Sequence, residues 1–242
     1  MDFRKSQNIS VDIVVFGFDG TQINVLLSKR YLNLHNTQYP IIDDWKLTGQ
    51  HIFKTERLDD EAHRILSTVG EKDPFFMHQF RAFGNPNRIT KSKDLLWSKS
   101  QQSDPQTLSV GYYALTYCAD YILKDTSCRW FPIQNLPELA FDHAFIIQSA
   151  FQYLKEKINI APIIYHLLQT KFTLNSLLDA YETIYQTRID NRNFRKKITR
   201  KPYIVRLTEK VRLPNAKKPA NLYMFSQDIY DLIAAENPKI IL

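Results

Sequence analysis

The sequence predicts an α+β fold in two parts: a strand-rich domain built round one amphipathic helix, then a helical domain that ends in a short basic hairpin. Two observations carry this prediction. Up to about Pro137, β-branched and aromatic runs bracket a single helix-periodic stretch, and from Phe141 the apolar residues take helical spacing instead. A third observation, the uneven spread of charge, sets the last part of the chain apart.

In the first part, Val11 to Phe18 (VDIVVFGF) reads as a strand, Asp19-Gly20 suits a two-residue type I′ turn, and Ile23 to Ser28 (INVLLS) completes a hairpin. Leu58, Ala62, Ile65, Leu66 and Val69 share one helical face behind Asp59, Asp60 and Glu61, acids that suit a helix N-terminus and are expected at the surface. Ser109 to Cys118 (SVGYYALTYC) has the composition of a buried strand. Ile89 to Thr107 is polar and aperiodic and is expected as an extended surface loop.

In the second part, FDHAFIIQSAFQYLKEKI reads as a helix interrupted at Asn159 to Pro162, which places the domain boundary between residues 1–158 and 159–242. A helical run follows from Ile163 to Leu168. Thr173 can cap a helix from Leu174 to about Tyr185, and Asp190 can cap another from Asn191 to Arg200. Two short helices, then candidate strands Tyr203 to Leu207 and Leu222 to Phe225 around a basic loop, form a winged helix-turn-helix pattern.

The net charge of +7 is concentrated in this last part. Residues 188 to 218 hold twelve lysines and arginines against only Asp190 and Glu209, a local +10 that leaves −3 for the remainder. Such a segment is an electrostatic footprint for a polyanion, because neutralising phosphates releases condensed counterions. A solvated face or a contact to an acidic protein is the other reading of a charge run. No apolar stretch reaches the roughly 20 residues that span a bilayer, and the first residues lack a signal-peptide core, so a soluble cytoplasmic protein without a membrane partner is expected. Cys118 and Cys128 form neither a disulfide framework nor a zinc pattern.

The stretch LTGQHIFKTERLDDEAHRILSTVG, from Leu47, resembles the Nudix box, in which glutamates one helical turn apart hold a divalent cation against a diphosphate. Position by position, Gln50 stands for the box glycine, Glu56 and Arg64 match, and Ile65, Thr68 and Val69 stand where the metal-binding glutamates belong. Gly70 arrives one position early. An apolar side chain cannot coordinate Mg²⁺, so no catalytic residue, metal or cofactor is expected.

Beyond the box, FGNPNR (Phe83 to Arg88), SVGYYAL (Ser109 to Leu115), Trp130-Phe131-Pro132, Leu136-Pro137, Phe141-Asp142-His143, Phe172-Thr173-Leu174, Tyr181-Glu182, NFRKK (Asn193 to Lys197) and KPANLY (Lys218 to Tyr223) follow in the order and spacing of the Nudix-related transcriptional regulators, which the chain resembles from about Val11 to Phe225. The resemblance implies a Nudix-like α/β/α sandwich with a mixed sheet, followed by a winged helix-turn-helix. It also implies a bacterial repressor, commonly homodimeric, with an operator in double-stranded DNA and a small-molecule effector. Loss of the diphosphate-metal residues favours a sugar such as L-arabinose. ADP-ribose, sensed by a branch that controls NAD metabolism, is the alternative, as is a residual Nudix hydrolase.

Phe194 and Ile198 should face the core, which turns Arg192, Asn193, Arg195, Lys196 and Thr199 outward to base edges. Lys197, Arg200 and Lys201 are placed for phosphates, and Lys217 and Lys218 belong to the wing. Gln50, His51, Glu56, Arg88 and Tyr112 are the candidate effector residues.

Overall fold

The computed structural model describes residues 5–53, 55–71, 76–104, 106–212 and 218–236. The chain divides into two compact units, one of residues 1–17 and 24–153, the other of residues 18–23 and 154–242. The expected boundary at Asn159 marks the end of a helix, whereas the units part five residues earlier, between Tyr153 and Leu154.

The first unit follows the order β1 (Lys5–Phe18), β2 (Ile23–Leu32), β3 (Ile42–Lys46), β4 (Thr48–Phe53), α1 (Leu58–Val69), β5 (Gly70–Glu71), β6 (Phe76–Phe83), α2 (Ser92–Ser100), β7 (Leu108–Tyr117), β8 (Ile122–Leu123) and β9 (Cys128–Pro132), then the start of α3 (His143–Ile158). Its main sheet runs β3-β2-β1-β7-β6, with β4 also on β1 and β9 also on β2. The β1–β2 hairpin forms as expected, but its turn spans Asp19 to Gln22, held by the Asp19 carboxylate, which accepts from the Thr21 and Gln22 N–H groups at 2.8 and 2.9 Å.

Alternation along β1 separates two chemistries. Val11, Ile13 and Val15 point to one face, where they meet Val110, Tyr112 and Ala114 of β7 and Ala62, Ile65, Leu66 and Val69 of α1 in one apolar cluster. The other face carries Asp12 and Phe16, and Phe16 packs against Phe151 of α3, as Tyr113 of β7 does against Tyr153. The region expected as a loop, Ile89 to Thr107, contains α2. Its buried residues are Asp94 and Ser98, so the helix presents a polar face inward and has no hydrophobic periodicity to find.

What α2 meets is Arg30, a fully buried guanidinium on β2. Arg30 donates to both oxygens of Asp44 at 2.7 Å and lies 2.7 Å from Asp94 Oδ1. It also sits over the rings of Trp97 and Phe141 at 5.4 and 4.9 Å. Phe141 adopts the left-handed backbone region, φ 54°, a conformation disfavoured for a bulky side chain. Its N–H donates to Asp94 Oδ2 at 3.0 Å, which holds it there.

The second unit contains the end of α3, a 3₁₀ turn (Ile163–Leu167), α4 (Leu174–Tyr185), α5 (Asn191–Ile198), the antiparallel pair β10 (Ile204–Val211) and β11 (Ala220–Phe225), and α6 (Gln227–Glu236). Both expected caps form: Thr173 and Ser176 make a reciprocal capping box, and Asp190 Oδ1 accepts from the Asn193 N–H at 2.7 Å. Tyr165 stacks on Phe225 at 4.6 Å and Phe194 meets Tyr181 edge-on at 5.5 Å, tying α5 and the hairpin to one core.

Arg30→Ala leaves Asp44 and Asp94 buried without their cation. We expect a loss of about 3–5 kcal/mol in urea unfolding of the full chain, the scale of breaking a buried ion pair.

Candidate effector cavity and nucleic-acid interface

A cavity of about 380 Å³ opens in the first unit on the sheet face opposite α1, between β1, β4, α2 and the segment leading into α3. Strand alternation brings Ser10 and Asp12 to it, α2 contributes Trp97 and Ser98, and Phe141 and His143 close another side. Of the five candidate effector residues, Gln50, His51 and Arg88 line it.

Glu56 and Tyr112 are not among the lining residues. Tyr112 shares the β7 face that packs under α1, and its hydroxyl donates to Asp59 Oδ1 at 2.6 Å, with Gln79 Oε1 3.2 Å away. Glu56 lies 3.5 Å from Arg64, which also pairs with Glu61. Glu61 is fully buried, not at the surface as expected for a first-turn acid, and burial pushes its carboxyl above the usual range while Arg64 pulls it down. Ile65 and Val69, two of the box positions that lack glutamate, sit in the apolar cluster, and the Thr68 hydroxyl donates to the Ile65 carbonyl at 2.7 Å.

Arg88 lines the cavity with a guanidinium already committed. It donates to both Asp142 oxygens at 3.0 and 2.6 Å and to the carbonyls of Phe83 and Thr107 at 3.1 and 3.2 Å, so it fixes the segment before α3. The cation that faces the cavity is Lys46. Its ammonium donates to the carbonyls of Leu47 and Gly49 at 3.3 and 3.4 Å, and burial pushes its pKa down although Asp12 pulls it up. Gly49 is required by close approach: a Cβ there would stand 2.1 Å from Asp12 Oδ1 and 2.6 Å from the Val11 carbonyl.

Asp12 is held by the Ser109 hydroxyl and lies 3.7 Å from His143 Nε2. His143, the first residue of α3, reaches the cavity wall, where Nδ1 accepts from the Leu47 N–H at 2.8 Å. Burial lowers its pKa to about 4, against the opposing pull of Asp12, so the ring is neutral at neutral pH.

In the second unit, Phe194 and Ile198 of α5 are buried, and Arg192, Asn193, Arg195, Lys196, Lys197, Thr199 and Arg200 are exposed, as the helical spacing predicts. Lys201 is half-buried and Lys218 exposed, whereas Lys217 lies outside the described residues. Thr199 spends its hydroxyl on the Arg195 carbonyl at 2.8 Å. The guanidinium of Arg195 is held by two amide oxygens, Asn191 Oδ1 on Nε and Asn175 Oδ1 on Nη2, each at 2.6 Å. Asn175, in the first turn of α4, escaped the sequence reading because it stands twenty residues from Arg195 and in no motif. On β10, Glu209 is neutralised by Lys171 at 2.7 Å.

A lowered His143 pKa makes stability pH-dependent. Between pH 6.5 and about 4 the unfolded chain binds a proton that the folded chain excludes, so stability is complete above 6.5 and falls on acidification through that window by about 3 kcal/mol. Urea unfolding from pH 7 to 4 should show this slope, and His143→Asn, which keeps an acceptor for Leu47, should flatten it.

The family model for the NrtR DNA-binding winged helix domain matches residues 164–225. The chain is 27% identical over 231 residues to an Acinetobacter baylyi protein described as an ADPR responsive transcriptional repressor, NtrR, a match that covers 92% of this chain and 84% of that protein. The crystal structure of Shewanella oneidensis NrtR superposes with a TM-score of 0.73 at 25% identity, covering 92% of this chain and 95% of that one. The same protein complexed with a 27mer DNA gives 0.72 at 26%, with the same coverage. A MutT/nudix family protein from Enterococcus faecalis shares the fold at a TM-score of 0.63 and 20% identity, over 92% of this chain and 88% of that one. Among the described residues no helix is long and apolar enough to cross a membrane.

Proposed function

This chain joins a Nudix-like domain to an NrtR-type DNA-binding winged helix, and on that premise we propose that it is a transcriptional repressor whose winged helix reads operator DNA and whose cavity takes ADP-ribose as the signal. The observation that carries the reading is α5: two buried anchors, Phe194 and Ile198, turn every cation of the helix to solvent. Arg195 and Arg192 read base edges, and Lys197, Arg200, Lys201 and Lys218 bond phosphates. Asn193, Lys196 and Thr199 share the outward face, and Lys217 extends the charge of the wing.

For the effector, the expected sugar such as L-arabinose gives way to its alternative. The Acinetobacter relative is described as ADPR responsive, and the cavity chemistry suits a nucleotide sugar: Lys46 for diphosphate, the Trp97 and Phe141 rings for a base, Asp12, Gln50 and His51 for ribose hydroxyls. The protein acts without hydrolysis, because Ile65, Thr68 and Val69 supply no carboxylate at the box positions. The family resemblance further implies a homodimer, which sedimentation of the full chain tests.

A duplex chosen by selection from a randomised pool should bind more tightly than a scrambled one at about physiological salt, and lack of any preference would sink the repressor reading. Arg195→Ala should weaken the selected duplex by about 1–3 kcal/mol and spare the scrambled one, whereas Lys218→Ala should weaken both and lower the salt slope by about one. ADP-ribose at roughly 100 times its Kd should stabilise the chain by about 2.7 kcal/mol and shift its DNA affinity, with L-arabinose inert. A shift with arabinose alone, or Mg²⁺-dependent release of AMP from ADP-ribose, would reverse that choice.

A further inference from the structure

We infer that Asn175, on the first helix of the helix-turn-helix, is a positioning residue for DNA recognition, holding Arg195 of α5 in the geometry that reads a base. The inference rests on the DNA-reading role given to Arg195 above. An arginine on an exposed helix face samples many rotamers, and freezing one at an interface subtracts from affinity. Here the freezing is done beforehand. Asn191 Oδ1, one turn back on α5, accepts from Nε at 2.6 Å, and Asn175 Oδ1, from a different helix, accepts from Nη2 at 2.6 Å. Two acceptors on separate helices fix both the position and the tilt of the guanidinium plane.

The choice of acceptor is informative. Arginine carries five N–H donors, and these two bonds leave both hydrogens of Nη1 and one of Nη2, enough for a bidentate pair with guanine O6 and N7. Amide oxygens orient the group and leave its charge whole. A carboxylate at either position would orient it equally well and cancel the charge that phosphate-rich DNA attracts. Elsewhere in this unit Lys171 and Arg188 meet carboxylates, those of Glu209 and Glu182, and Arg206 donates to an amide oxygen, Asn221 Oδ1, at 3.2 Å. Asn175 itself is exposed, and the α4 N-terminus is capped by Thr173 and Ser176 without it, so its replacement leaves the fold in place.

The test measures full-chain wild type, Asn175→Ala, Asn191→Ala, Arg195→Ala and the Asn175→Ala/Arg195→Ala double variant on the selected and the scrambled duplex, with a melting curve for each. Asn175→Ala should weaken the selected duplex about three- to tenfold, spare the scrambled duplex, and add nothing once Arg195 is gone. Asn191→Ala should repeat this pattern more weakly. Asn175→Asp, which keeps the acceptor, should retain the preference between duplexes while weakening both. Additive losses in the double variant, or equal losses on both duplexes for Asn175→Ala, would show Asn175 acting on DNA by itself and overturn the inference while the repressor reading stands. A wild type with no preference would overturn both.

Discussion

A guanidinium cannot be buried alone, and Arg30 shows how much structure that one requirement organises. Its two carboxylate partners come from β3 and from α2, and its two aromatic neighbours come from α2 and from the segment ahead of α3. Asp94 then uses its second oxygen on the Phe141 N–H, holding a left-handed residue that a free chain would avoid. Buried ion pairs seldom add net stability over apolar packing, but they do specify an arrangement. Trp97 and Phe141 are both cavity walls, so the shape of the cavity depends on a charge that does not line it.

The same strands keep two kinds of chemistry apart. On β1, one alternate set is Val11, Ile13 and Val15 beneath α1, and Asp12 belongs to the other; on β7, Tyr112 takes the first face and Ser109, bonded to Asp12, the second. The helix that would carry metal in a Nudix hydrolase therefore lies over apolar packing, and the polar cavity lies across the sheet from it. Ile65 and Val69 suit the place they occupy, since a glutamate turned into that cluster would meet no water and no partner.

What could be read from the sequence was local chemistry. Thr173 and Asp190 announce their helices because a cap needs only its own next turn, and Phe194 with Ile198 sets the orientation of α5 from spacing alone. The hairpin and α1 were visible for the same reason. The helix in Ile89 to Thr107 was not, because its inner face is Asp94 and Ser98 and the reason for that face, Arg30, is sixty-four residues from Asp94 in the chain. Glu56 and Tyr112 lie apart from the cavity that Gln50, His51 and Arg88 line for a related cause. Motif proximity says nothing of which side of a sheet a side chain takes, and the register of β1 against β4 and β7 decides it.

The charge pattern has a matching division between reach and reading. A segment of +10 draws phosphate from beyond contact distance, independent of sequence, and any carboxylate within it would blunt that field. Glu209 is neutralised by Lys171, and Asp190 is used as a cap, so both acids in the segment are occupied. The reading of a base proposed for Arg195 then needs a cation held still without being discharged. Neutral amides satisfy that condition, which makes the asparagines around Arg195 the electrostatic counterpart of the carboxylates around Arg30: one arginine is buried and must be neutralised, the other faces solvent and must stay charged.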